Sequence, residues 1–82
     1  MFNANALTAA ERDALTIIVA DCDDIDGWGF TRPEVIADVL MASDDMDAAN
    51  KAVRALIDAD IVTLNPVERE IWVTPEAFAA FC

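Results

Sequence analysis

Eighty-two residues with sixteen acids, five bases and no histidine carry a formal charge of −11, which is enough chain for one domain with one core. No apolar run approaches the ~20 residues that cross a bilayer, and MFNANALTAAER has no basic stretch ahead of an apolar one, so neither a membrane span nor a signal peptide is expected. The lack of His and Tyr removes the commonest acid–base groups, and Cys22 and Cys82 have no CxxC spacing, so the expectation is no catalytic centre, metal or cofactor, and reduced thiols in a cytoplasm.

In chain order, Thr8-Ala9-Ala10-Glu11 reads as a capping box, in which hydroxyl and carboxylate each satisfy a free backbone N–H. It predicts a helix from Thr8 to about Asp21, with an apolar stripe of Ala10, Ala14, Ile17 and Ile18 widened by Leu15 and Cys22. Arg12, Asp13 and Thr16 fall on its wet side. Residues 21–30, DCDDIDGWGF, hold both glycines and four aspartates. A calcium loop fails on register: with Gly27 in the sixth position, Cys22 takes the first and Pro33 the twelfth, where a carboxylate is needed. The stretch reads instead as a solvated acidic turn that delivers Trp28 and Phe30 to the core. Gly27 and Gly29 would bend the backbone on either side of Trp28, and an extended pair here would add a third strand to a later hairpin.

Thr31-Arg32-Pro33-Glu34 predicts a second helix with Thr31 as N-cap and Pro33 in the first turn, and Phe30 and Val35 sit where a hydrophobic staple would place them. Val35, Ile36, Val39 and Leu40 form its buried face, and Asp38 points out. Met41 to Met46 is a turn, with Ser43, Asp44 or Asp45 available to cap a third helix. That helix is the best-defined element: Ala49, Ala52, Val53, Leu56 and Ile57 share one face, opposite Asp47, Asn50, Lys51, Arg54 and Asp58. Ile61–Leu64 and Glu70–Thr74 follow as two strands joined through Asn65-Pro66. Ile71 and Val73 face one way and Trp72 the other. Thr74-Pro75-Glu76 starts a short last helix bearing Phe78 and Phe81.

The order of helix, GWGF strand, helix, turn, helix, hairpin and short helix resembles a winged helix-turn-helix domain over nearly the whole chain, 1–82. The closest stretch is AANKAVRALIDADIVTLNP, which is similar to a recognition helix and its wing. The family usually has a glycine before the first wing strand, where this chain has Asp60. The resemblance implies an α+β, mainly α fold of three helices, a C-terminal hairpin and a short last helix. It also implies, for a DNA-binding regulator, that Asn50, Lys51 and Arg54 face the major groove and Arg69 serves as the wing contact.

Charge argues against that use. Duplex DNA is a polyanion whose non-specific affinity comes from Lys and Arg, and even residues 47–60 carry three acids against two bases. Asp47 with Lys51, and Arg54 with Asp58, have the spacing of helical ion pairs, and Arg69 lies between Glu68 and Glu70. The acids could solubilise the chain, reflect a high-salt cytoplasm, or imitate nucleic acid for a basic partner. The leading expectation is the last: a non-enzymatic acidic interaction protein that inhibits a basic nucleic-acid-binding protein or nucleoprotein complex. In type it resembles small phage-encoded inhibitors, including anti-CRISPR proteins that act as DNA mimics. Asp21, Asp23, Asp24 and Asp26 would be its first contact group, and Asp44, Asp45 and Asp47 its second. Phe78 and Phe81 either pair two copies of the chain or simply close the core.

Overall fold

The computed structural model describes residues 2–82. About half of them are helical, in four α-helices: α1 (Ala9–Ala20), α2 (Val35–Ala42), α3 (Met46–Asp58) and α4 (Pro75–Phe81). Four strands, β1 (Asp23–Ile25), β2 (Trp28–Thr31), β3 (Val62–Asn65) and β4 (Glu70–Val73), form one antiparallel sheet in the order β1-β2-β4-β3.

Local chemistry sets the helix ends. Thr8 Oγ1 accepts from the Glu11 N–H at 3.1 Å while the Glu11 carboxylate accepts from the Thr8 N–H at 2.9 Å, the expected capping box. Of the three residues available to start α3, Asp45 is the cap, its carboxylate accepting from the Ala48 N–H at 3.1 Å. The far end of α3 closes through two bonds: Ile61 N–H to the Leu56 carbonyl at 3.1 Å, and Asp60 N–H to the Ile57 carbonyl at 3.0 Å. This pairing needs one residue in the left-handed region, the usual place for glycine. Asp60 occupies it with φ 60°.

The expected helices and C-terminal hairpin are present, most within a residue or two, although α2 starts about three residues later than expected. The acidic stretch after α1 differs, because it folds as a second hairpin rather than a solvated turn. Asp26 and Gly27 have φ of 54° and 89°, the two positive values of the tight turn whose twist matches a hairpin. The Asp24 carboxylate braces it by accepting from the Gly27 N–H at 2.8 Å. Alternation in β2 then turns Gly29 and Thr31 inward and Trp28 and Phe30 outward, the reverse of the expected packing. Phe30 stacks on Trp72 across the strands, with centroids 4.8 Å apart, so it forms no staple with the buried Val35. Thr31 does not cap α2. It is buried at the end of β2 and its hydroxyl donates to Asp21 Oδ2 at 2.7 Å, while α2 begins only at Val35 without a side-chain cap.

The core lies between the helices and one sheet face. Leu15, Ile18, Val35, Val39, Val53 and Leu56 come from the helices, and Val62, Ile71 and Val73 from the sheet. Gly29 is part of this packing rather than a bend: a Cβ there would lie 2.8 Å from Phe78 Cδ1 and 3.2 Å from both Cys22 Sγ and Val73 Cβ. Phe78 is therefore buried, seated against β2. Phe81 meets Phe2 edge-on at 6.2 Å, and the Phe2 N–H donates to Glu76 Oε2 at 2.8 Å. Of the two alternatives for these rings, Phe78 closes the core, while Phe81 is half-buried against Phe2.

Candidate interaction surfaces

The two aspartate groups sit at opposite ends of α1. Asp21 closes its C-terminus, and Asp23, Asp24 and Asp26 extend along β1 and its turn; all four are exposed. Asp44, Asp45 and Asp47 lie at the α2–α3 junction, also exposed. They are joined there by Asp13, which the sequence placed only on a wet helix face. Asp13, Asp44 and Asp45 rim a shallow depression floored by Ala14, Val39 and Ala49. Eight residues separate Asp13 from Asp21, about 12 Å along a helix axis. The groups thus form two patches rather than one cluster. Among the described residues no three His, Cys, Asp or Glu side chains are gathered as a metal-ion set.

Between these patches and the core, Cys22 is half-buried and Cys82 exposed, both as free thiols. The Cys22 thiol is pushed up to about 11, first by burial and then by the neighbouring Asp21 and Asp23 carboxylates. It is a packing group, not a nucleophile.

The basic residues are placed differently from expectation. Neither Asp47–Lys51 nor Arg54–Asp58 forms an ion pair; among the described residues the one salt bridge joins Arg69 to Glu34. An exposed, screened pair returns little beyond the rotamer entropy it costs, so helical spacing alone does not fix occupancy. Asn50, Lys51 and Arg54 are consequently all free on the exposed face of α3. Arg69, with φ 54°, is turned away from Glu68 and Glu70 and back to the start of α2. Glu34's carboxyl lies below its ordinary value of 4.5, first through a backbone hydrogen bond and then through Arg69.

A further surface escaped the sequence reading. The sheet face opposite the helices carries Trp28, Phe30 and Trp72 beside Ile25 and Thr63. Ile25 and Trp28 are 44% and 40% exposed. Arg32 lies over the Phe30 ring, 5.3 Å from its centroid, and donates to the Arg69 carbonyl at 3.3 Å. The Trp72 indole N–H donates to Glu70 Oε1 at 3.3 Å. The outward side of Trp72 follows from the alternation already read in β4; the signal missed is the same alternation in β2, where Trp28 and Phe30 flank Gly29.

The architecture defines a small α+β protein, about half helical, with four α-helices and a four-stranded antiparallel sheet. No helix among the described residues is long and apolar enough to cross a membrane. No protein-family model, curated protein or solved structure matches the chain.

Proposed function

We propose that the chain is a winged-helix-like, non-enzymatic interaction module that presents its carboxylates to a basic nucleic-acid-binding protein or complex. It would inhibit that partner by standing where nucleic acid stands, in the manner of small phage-encoded, anti-CRISPR-like inhibitors. The connectivity supports the scaffold: β2, between α1 and α2, pairs with β4, which pairs with β3 directly after α3. One observation carries the partner class. Of sixteen acids, Glu34 alone has a cationic partner among the described residues. All seven proposed contact aspartates are exposed and, among the described residues, outside any ion pair, so their field is available to a cationic surface.

A second reading keeps the scaffold and reverses the partner: a DNA-binding regulator reading bases through Asn50, Lys51 and Arg54. What favours it is that these three side chains are exposed and not neutralised by Asp47 or Asp58. Arg69 contributes less than that reading requires, since it is tied to Glu34.

Fluorescence anisotropy with random duplex DNA at ~50 mM salt separates the two, because phosphate-driven affinity is strongest there. The mimic does not bind duplex, does bind a basic nucleic-acid-binding protein, and loses that binding when Asp21, Asp23, Asp24 and Asp26 are changed to Asn. Micromolar duplex binding that disappears in Arg54→Ala would replace it with the regulator.

A further inference from the structure

The outer sheet face is an aromatic row that is filled with cation at one end and open at the other. At the filled end Arg32 stacks on Phe30, the geometry in which a guanidinium gains from the ring's negative face. At the open end Ile25, Trp28, Thr63 and Trp72 line a cleft, and Asp26 stands at its side. Its two indoles are the chain's only tryptophans. The cleft therefore offers what Phe30 and the Arg69 carbonyl offer Arg32: a ring face for the planar cation and an oxygen acceptor beside it. Indole is also the stronger cation–π acceptor.

We infer that the Trp28–Trp72 cleft is a receptor site for an arginine side chain of a basic protein partner, with the guanidinium over the indoles and hydrogen-bonded to Asp26. Charge selects this occupant. The rest of the outer face adds Asp23 and Glu70, while its one base, Arg32, is already engaged. An anionic ligand would meet three carboxylates, and a purely apolar one would draw nothing from Asp26. Arginine fits better than lysine because its flat, weakly hydrated head stacks while its edge still donates. The inference rests on the proposed function and deepens it: carboxylates attract the partner, and the indoles give the contact its specificity.

The test titrates the whole chain with an N-acetylated, C-amidated nona-arginine peptide, reading both tryptophan emission and calorimetric affinity, beside the nona-lysine analogue. Arginine peptide should shift the emission and bind more tightly than lysine peptide. Trp28→Ala should weaken it about threefold to thirtyfold, and Asp26→Asn should weaken it in the same direction. Asn tolerates the left-handed turn position, so this second variant stays informative if Trp28→Ala unfolds. Asp38→Asn, on the outer side of α2, should leave binding unchanged. Absence of any peptide binding would overturn the acidic-surface reading along with the cleft. Binding that moves neither tryptophan, or survives Trp28→Ala in full, would overturn the cleft alone, as would equal affinity for the lysine peptide. Tighter binding of an oligothymidylate to the same tryptophans would reassign the face to base stacking. Sedimentation as a dimer abolished by Trp28→Ala would reassign it to a second copy of the chain.

Discussion

Replacing Asp60 with glycine should stabilise the fold by about 1 kcal/mol. The residue sits just beyond α3 at φ 60°, where the two closing hydrogen bonds from Asp60 and Ile61 demand a left-handed backbone. An L-residue pays about 1–2 kcal/mol for that region, less for Asp than for most. Glycine adopts it freely, though its looser unfolded chain takes back about 0.4–1 kcal/mol. The carboxylate also stands at the negative end of the α3 dipole, and removing it adds about 0.3–1 kcal/mol. Two companions divide the effect. Asp60→Asn retains a side chain that tolerates the conformation and removes the charge, so it should recover only the electrostatic part. Asp60→Ala removes the charge but keeps a Cβ without a polar tip, so it should fall below Asp60→Gly. Urea unfolding followed by circular dichroism resolves these differences: with a slope of about 1 kcal/mol/M, the glycine variant should shift the midpoint upward by about 1 M. A glycine variant no more stable than the alanine one would refute the left-handed assignment and the hydrogen bonds built on it.

Gly29→Ala should destabilise by about 1–3 kcal/mol, because the new methyl would lie 2.8 Å from Phe78 Cδ1 with β4 behind it; in a Phe78→Leu background the loss should shrink, and a full loss in both backgrounds would mean the clash lies elsewhere. Under a thiol reagent at pH 8, exposed Cys82 should react first and Cys22 far more slowly, with the Cys22 rate climbing toward pH 11. Peptide mapping of the modified sites checks the order. Glu34's depressed carboxyl contributes stability that is present above its ordinary value of 4.5 and lost as pH falls through its lower folded value. Arg69→Ala should therefore lower the urea midpoint slightly at pH 7, with the gap to the parent chain closing below about pH 4.5; a gap that persists at pH 2.5 would assign the effect to packing.

The helices and second hairpin were legible because their signals are local and redundant. The Thr8–Glu11 box marks a helix start with two reciprocal side chains, the α3 stripe from Ala49 to Ile57 repeats the helical period, and Ile71–Trp72–Val73 alternates as a strand. The first hairpin was not, since all three β1 residues are exposed and provide no hydrophobic period. Its turn is written as Asp26-Gly27, within a run of aspartates whose charge masks the backbone signal. Hydrophobicity alone points Trp28 and Phe30 inward, but the inward places belong to a glycine with no room for a Cβ and a threonine bonded to Asp21. That one reversal hid the aromatic face. The aspartate patches were legible as residues but not as geometry, because only the packing of α1 on α2 and α3 brings Asp13 beside Asp44 and Asp45. The loss of the α3 ion pairs was beyond spacing rules, which establish reach and not occupancy.

β1 is an unpaired sheet edge, with a neighbour on one side only, and an unpaired edge is a template for another strand. Asp23 and Asp24 project to opposite sides of that ribbon, since their partners Phe30 and Gly29 lie on opposite sheet faces. An approaching copy of the chain would meet like charge on both sides. Replacing both with Asn removes the guard as well as the field, so that variant should associate edge to edge through β1. The aspartates offered to a partner would then also be what keeps each molecule single.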